Sequence, residues 1–183
     1  MKKSFLFFAV LIILSQGCSY AIRYDGTYSG KVVDADTGEP VEGAVVLGTW
    51  YTVSHTVAGG VHSYYDARET ATDKNGQFSI PGMGLRIMSN LEPMDILIFK
   101  SGYEYIGSAN WASLKVDELL SKKIKWEANK PIIPLKKLTM VERRKQGTPS
   151  ISSEAQYPKK IPLFIKEINK EEIQFGRPPY PEE

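Results

Sequence analysis

The stretch that decides the fold is VVDADTGEPVEGAVV, residues 32–46, in which acidic and turn-forming residues separate two runs of valine. The valine runs favour extended strands, and the polar residues between them indicate a tight connection. Asp34 and Asp36 can accept bonds from nearby backbone N–H groups, Gly38 permits a left-handed turn residue, and Pro40 fixes φ. This stretch therefore predicts one β-strand turning into the next.

The same acidic loop also raises the question of a calcium site. An EF-hand-type loop that starts at Asp34 needs an oxygen ligand at its fifth position and a glutamate at its twelfth. Those positions hold Gly38 and Val45, so the loop fails the test. Gly43 lets the following strand kink or pack closely, which fits a structural role for the whole stretch.

Further extended runs follow along the chain and are separated by turn residues. Between two of them lies Asp73-Lys74-Asn75-Gly76, and Asn-Gly between extended runs predicts a hairpin. Short strands with few amphipathic helices among them favour a mainly β, antiparallel sandwich. The predicted strands cover residues 28–35, 45–53, 64–72, 77–80, 95–100 and 132–138.

Three sequence elements carry a resemblance to a known family. They are GKVVDADTGEPVEGAVV at 30–46, TDKNGQFSI at 72–80 and ILIFKSGY at 96–103, which ends in Gly102 and Tyr103. Together and in this order they resemble the carboxypeptidase regulatory-like domain, a transthyretin-like (prealbumin-like) β-sandwich. The resemblance covers residues 26–138 at most, and it implies a non-catalytic accessory module.

The chain departs from that family in two insertions. Residues 54–65 form a longer, glycine-bearing excursion between strands, and residues 104–130 contain a predicted helix at 112–123. We expect this helix to bury Leu119 and Leu120 against the sandwich. Its lysines then form a solvated face, or alternatively contact anionic lipid headgroups.

The C-terminal extension, residues 139–183, is predicted to be partly helical. Leu163, Ile165, Ile168 and Ile173 recur at helical spacing and form a stripe that we expect to dock on the sandwich. The proline-rich end cannot be helical, and we expect the last residues to be disordered. A tail that binds a partner is the alternative.

Residues 1–17 have the composition of an export signal. Two lysines precede an apolar run of ten residues, FLFFAVLIIL, which suits a secretory signal peptide but is too short to span a bilayer. The sole cysteine, Cys18, follows directly after Gly17, and this arrangement resembles a bacterial lipoprotein signal peptide. In that family the cysteine is acylated and becomes the N-terminus.

The match to the lipoprotein signal departs from the family at one position. Ser15 stands where leucine is usual, so an ordinary signal peptide cleaved near Ala21 is the alternative. The resemblance implies lipid attachment at Cys18, a tether at 18–25, and a location in the cell envelope on the periplasmic side of the outer membrane. Stable anchoring takes more than one acyl chain, which triple acylation supplies.

Charge and cysteine content exclude two classes of protein. Residues 1–17 account for the whole net charge of +2, so the remaining chain is neutral and offers no basic footprint for nucleic acid. With a single cysteine, the chain forms no internal disulfide, and its stability has to come from packing.

Residues suited to catalysis are few. The two histidines, His55 and His62, lie near Asp66 and Glu69, and a zinc site of two imidazoles and a carboxylate is conceivable. Their seven-residue spacing matches no compact ligand motif. We therefore predict no enzyme, no cofactor and no metal site, with these histidines as weak metal candidates.

Three functions follow, in order of preference. The first is a non-enzymatic envelope lipoprotein whose sandwich is a protein-binding or structural module at the membrane surface. The second is a carbohydrate-binding envelope module, and the third is a metal-dependent hydrolase. The second rests on aromatic side chains that could stack on sugar rings, namely Trp50, Tyr51, Tyr64, Tyr65, Tyr103 and Trp111.

Overall fold

The computed structural model describes residues 22–56, 59–150 and 160–182. In this part of the chain the strands are β1 (Ile22–Asp25), β2 (Tyr28–Asp34), β3 (Val45–Thr56), β4 (Gly59–Ala71), β5 (Gln77–Ile80), β6 (Gly84–Ile87), β7 (Asp95–Phe99), β8 (Ile106–Asn110), β9 (Lys125–Glu127) and β10 (Lys130–Leu135). The helices are α1 (Glu118–Lys123), α2 (Met140–Gln146) and α3 (Pro162–Phe175), and a 3-10 turn covers Trp111–Lys115.

Two four-stranded sheets form a β-sandwich, which confirms the predicted fold class. One sheet has the order β5-β2-β10-β9 and the other β4-β3-β7-β8. Their strands pair antiparallel except β2 and β10, which run parallel, a pairing that the sequence did not predict. Strands β1 and β6 form a separate antiparallel ribbon.

The core lies between the two sheets. Side chains alternate between the faces of a strand, and burial accordingly alternates along β2 and β10. Val32 and Ile133 from one sheet meet Trp50 and Ile98 from the other, and all four are fully buried. The valine-rich stretch quoted above therefore supplies the core directly.

The excursion predicted at 54–65 is instead a continuation of the sheet. Strands β3 and β4 pair from Val45↔Ala71 to Thr56↔Gly59, with one register shift between Trp50 and Tyr51. Thr56 on β3 and Val61 on β4 are β-branched residues that favour the extended conformation in this continuation. The β3–β4 hairpin therefore projects beyond the strand ends that the sequence predicted.

The inserted helix is present but is shorter than predicted. Asp117 divides the predicted segment, because its Oδ1 accepts the backbone N–H of Leu120 at 2.9 Å and so caps α1. Before it, the 3-10 turn buries Leu114 completely. Leu120 packs against the core, whereas the side chain of Leu119 lies outside the described part. Lys122 remains exposed to solvent, as expected for a solvated face.

The C-terminal helix α3 docks on the outer face of the β4-β3-β7-β8 sheet. Ile165 and Ile168 are buried there, as the predicted stripe requires. Leu163 and Ile173 are exposed, at 41% and 63%, so the stripe is wrong at these two positions. The buried face follows an i, i+3, i+4, i+7 spacing and also contains Ile161 and Phe164.

A buried ion pair holds α3 at its C-terminal half. Arg143 in α2 donates from Nε and from one terminal nitrogen to the carboxylate of Glu171, at 2.8 and 2.9 Å. Glu171 is 3% exposed and also accepts the hydroxyl of Ser101 at 2.6 Å. Helix, preceding helix and sandwich are thus joined through one carboxylate.

The chain end beyond α3 contacts the helix through Tyr180, and the disorder of the last residues stays a prediction. The side chain of the buried Asn169 accepts the backbone N–H of Tyr180 at 2.7 Å and donates to its carbonyl at 2.9 Å. These two bonds hold an extended, proline-rich segment that cannot satisfy its own backbone groups.

Candidate interaction surface

The turn at Asp34 is closed by its own carboxylate. Oδ1 of Asp34 accepts the backbone N–H groups of Asp36 and Thr37, each at 3.0 Å. These bonds favour the ionised form, and they lower the pKa of Asp34. Gly38 has a φ of +76°, and Pro40 forms a β-bridge with Val33. The loop's own backbone therefore occupies one oxygen of Asp34.

The turn at Asp73 lies directly against the first one. Its Oδ1 accepts the backbone N–H groups of Asn75 and Gln77 at 2.9 and 2.8 Å. Gly76 has a φ of +73°, and a Cβ there would lie 3.2 Å from Cβ of Pro40. The predicted hairpin is wrong, because β5 pairs with β2 and not with β4. The turn instead carries the chain from one sheet to the other.

The remaining signature positions lie at the same end of the sandwich. Gly43, with a φ of +68°, donates its N–H to the carbonyl of Thr72 at 2.9 Å. Gly102 has a φ of +93°, and Tyr103 forms a bridge with Lys137. Burial and the neighbouring Asp34 raise the pKa of Tyr103. We call this end of the sandwich the signature pole.

The proposed zinc ligands are not brought together in the described part of the chain. His62 lies opposite Val53 in the β3–β4 hairpin, and its Nδ1 contacts Glu92 at 2.7 Å. Asp66 pairs with Lys160 at 2.5 Å. The side chain of His55 lies outside the described residues, and among those described no three His, Cys, Asp or Glu side chains form a metal-sized group.

Glu69, the other carboxylate considered for zinc, caps helix α3. Its two oxygens accept the backbone N–H groups of Leu163 and Phe164 at 2.6 and 2.9 Å. Ile161, at the N-cap position, provides no side-chain hydrogen bond, so Glu69 supplies the missing acceptor from a strand. Burial raises the pKa of Glu69, and the two backbone bonds oppose that rise.

The aromatic residues suggested for sugar stacking do not share one surface. Trp50 is fully buried, and Trp111 packs edge-on against Tyr28 with ring centroids 5.2 Å apart. Tyr103 packs against the same core. Tyr65 is 45% exposed, but the guanidinium of Arg86 lies 4.8 Å from its ring centroid.

An exposed apolar face on β1 and β6 is the main feature that sequence reasoning missed. Ile22 pairs with Ile87, and Tyr24 with Leu85, so all four side chains lie on one face. They are 66%, 66%, 75% and 63% exposed, and the adjoining Met88 is 86% exposed. We call these five residues the apolar ribbon. The alternating sequences Ile-Arg-Tyr and Leu-Arg-Ile are the signal that could have found it.

A buried carboxylate fixes the ribbon to the sandwich. Asp25, at the end of β1, is 4% exposed and accepts Nε1–H of Trp50 at 2.9 Å and N–H of Met83 at 2.8 Å. Its other oxygen accepts the hydroxyl of Tyr28. Burial, together with this hydrogen bond, raises the pKa of Tyr28 to about 12. On the ribbon's other face, Arg23 donates to the carbonyl of Leu91 at 2.9 Å.

A second surface feature lies beside β8, the edge strand of the β4-β3-β7-β8 sheet. A cavity of about 310 Å³ separates β8 from α1 and β10. Its lining mixes apolar side chains, such as Leu120 and Ile124, with the charged groups Glu104 and Lys123. An edge strand beside a groove can accept an extended segment of another chain.

Comparisons with known proteins add little to this description. No protein-family model and no curated protein matches the chain. Among solved structures, a streptococcal ancillary pilin is similar, with a TM-score of 0.32 and 13% identity over 63% of this chain. The match spans 30% of the pilin.

The predicted lipid attachment at Cys18 lies outside the described residues, as does the predicted leader. In the described ranges, no helix has the length and apolar character needed to cross a membrane.

Proposed function

We propose that the chain is an exported, non-enzymatic envelope lipoprotein, held by acyl groups on Cys18, whose sandwich is a protein-binding or structural module of the carboxypeptidase regulatory-like type. The observation that carries the proposal is the position of the first strand. Strand β1 begins four residues after Cys18 and is tied to the core through Asp25. An anchor at Cys18 would therefore hold the sandwich itself, without a long linker, at the membrane surface.

The way that three carboxylates bond within the fold supports a structural role. Asp25 organises the ribbon, Glu69 caps α3 and Glu171 binds Arg143. Catalytic carboxylates are usually found where a substrate can reach them. Each of these three is instead occupied by donors from the fold.

For the partner we propose an extended segment of another envelope protein, added at the edge of β8. A photo-crosslinking residue in place of the exposed Ser108 should then capture a polypeptide in intact cells. The same residue in place of Lys74, at the signature pole, is the matched control. Equal capture from both positions would argue against the β8 edge.

The two alternatives have direct tests. A glycan array probed with the protein decides the carbohydrate-binding alternative, which silence across the array would remove. Metal analysis of purified protein addresses the hydrolase alternative, since its metal form requires bound zinc at His55 and His62.

Labelling with a radioactive fatty acid tests the anchor. We expect label in the wild-type protein and none in Cys18→Ala, because acylation needs the Cys18 sulfur. An unlabelled wild-type protein would remove the anchor from the proposal.

A further inference from the structure

We propose that the apolar ribbon lies in the interfacial zone of the bilayer that Cys18 anchors, so that the protein contacts the membrane through β1 and β6 as well as through its acyl groups. This inference rests on the proposed function for its anchor. Beyond the anchor, it assigns a membrane-binding surface to the apolar ribbon, names lipid as its ligand and orients the sandwich on the bilayer.

The first argument is the shape of the apolar face. Two cross-strand pairs, Ile22 with Ile87 and Tyr24 with Leu85, place four large side chains side by side, and each is more than half exposed. Met88 follows β6 directly, has a φ of +48° and is 86% exposed. A contiguous exposed apolar patch of this kind marks a site of contact with a protein or a membrane.

The second argument is distance, and it selects the membrane. Four residue steps separate Cys18 from Ile22, and a fully extended chain covers at most about 14 Å in that number of steps. The headgroup region of one leaflet is about 5 to 8 Å thick. With the acyl groups inserted, the tether cannot carry the ribbon far beyond that region.

The third argument is the chemistry around the face. Arg23 and Arg86 are cross-strand partners on the ribbon's other face, where Arg23 bonds the carbonyl of Leu91 and Arg86 lies over the ring of Tyr65. The face turned away from them therefore carries apolar and aromatic side chains without an arginine. Tyr24 is 75% exposed and has the amphipathic ring that is enriched at membrane interfaces. Large apolar side chains beside an amphipathic tyrosine ring fit the boundary between headgroups and acyl chains.

The ribbon and the signature pole lie at opposite ends of the sandwich, which gives the membrane contact an orientation. Strand β5 begins next to the turn at Asp73, in the signature pole, and ends at Ile80 opposite Tyr28. The ribbon follows at that second end, since β6 starts at Gly84. A bilayer at the ribbon would therefore leave the signature pole facing away from the membrane.

Nitroxide labels in the full-length protein test the inference. The protein is purified from cells and reconstituted in vesicles of phosphatidylethanolamine and phosphatidylglycerol, with one cysteine introduced as Leu85→Cys or Ile87→Cys. Lys74→Cys is the control at the signature pole. Collision rates with oxygen, which dissolves in lipid, and with a water-soluble nickel complex report where each label lies.

We expect frequent oxygen and rare nickel collisions at positions 85 and 87, and frequent nickel collisions at position 74. Frequent nickel collisions at 85 and 87 would place the ribbon in water and overturn the inference. Rare collisions with both reagents would place the labels between two copies of the chain and would also overturn it. A further label, attached at Met88→Cys, should move into water when Leu85→Glu and Ile87→Glu are introduced together. Val141→Glu, which alters an exposed apolar residue of α2, is the control and should leave that label in lipid.

The mass of the N-terminal peptide, measured on the same samples, separates this inference from the anchor. An acylated Cys18 with ribbon labels in water would contradict the inference alone. Ribbon labels in lipid on a Cys18→Ser background, which carries no acyl group, would support the inference independently of the anchor, whereas an unacylated Cys18 in the wild-type protein would contradict the anchor alone.

Discussion

Trp50 donates its indole Nε1–H to the carboxylate of Asp25 across 2.9 Å, and both side chains are buried. This bond joins the largest side chain of the core to the end of β1. It explains how a two-stranded ribbon, which would be marginally stable alone, is held in place beside a sandwich.

Replacing Asp25 should therefore be costly. Asp25→Ala leaves Nε1–H of Trp50, N–H of Met83 and the Tyr28 hydroxyl without their acceptor. We expect the free energy of unfolding in urea to fall by about 3 kcal/mol, since each orphaned buried donor costs about 1 to 3 kcal/mol. Asp25→Asn keeps one acceptor oxygen, so its free energy of unfolding should lie between those of wild type and Asp25→Ala. An Asp25→Ala protein as stable as wild type would refute this role.

The same cluster predicts an alkaline transition. The pKa of Tyr28 is raised from 10.0 to about 12, so the folded state favours the protonated phenol. As pH rises, Tyr28 loses its phenolic proton in the unfolded chain before it does so in the folded protein. The free energy of unfolding therefore falls as pH rises from 10 towards 12. Denaturation at several pH values should show a steeper loss for wild type than for Tyr28→Phe. Parallel curves would count against the raised pKa.

The ion pair between α2 and α3 should dominate the stability of the C-terminal extension. Arg143→Met leaves the buried carboxylate of Glu171 without its cation, and we expect a loss of about 3 kcal/mol in chemical denaturation. Lys122→Met removes a cation from the exposed pair with Glu118 and should change stability by less than about 0.5 kcal/mol. Similar losses in the two variants would mean that burial does not decide the effect.

Substitutions at two glycines of the signature pole distinguish the cost of backbone strain from the cost of a steric clash. Gly38 and Gly76 have almost equal φ values, +76° and +73°. A Cβ at Gly38 meets nothing within 4 Å, whereas one at Gly76 would lie 2.3 Å from the carbonyl oxygen of Val32. We expect Gly38→Ala to cost about 1 kcal/mol and Gly76→Ala about 3 kcal/mol, because strain and overpacking then combine. The measurement is the change in melting temperature of each variant. Equal changes for Gly38→Ala and Gly76→Ala would show that the two turns do not pack as described.

Local pattern in the sequence was enough to predict the sandwich. Alternating and β-branched runs located three of the four strands in each sheet, but β8 and β9 lie in residues 104–130, where the sequence predicted only a helix. The turn at Asp73 shows the limit of such reasoning. Asp73 and Gly76 form a tight turn, but local chemistry does not determine which strand β5 pairs with, and it pairs with β2.

The ribbon and the carboxylate network needed three-dimensional information. Strand β1 is four residues long, and its partner β6 begins at Gly84, 59 residues after β1 ends at Asp25. Neither strand therefore stands out alone. Asp25 and Trp50 are 25 positions apart, and nothing local marks them as partners. In α3 the predicted stripe included Leu163 because it is apolar, although Glu69 caps the helix at that residue and leaves its side chain outward.

The most direct test of the central claim is the mass of the N-terminal peptide of the mature protein. Trypsin should release residues 18–23, which end at Arg23, and mass spectrometry of protein from intact cells then reads the modification. We predict that this peptide begins with Cys18 and carries acyl groups. A mature chain that begins at another residue, or a Cys18 without acyl groups, would contradict the account of a sandwich anchored directly at the membrane.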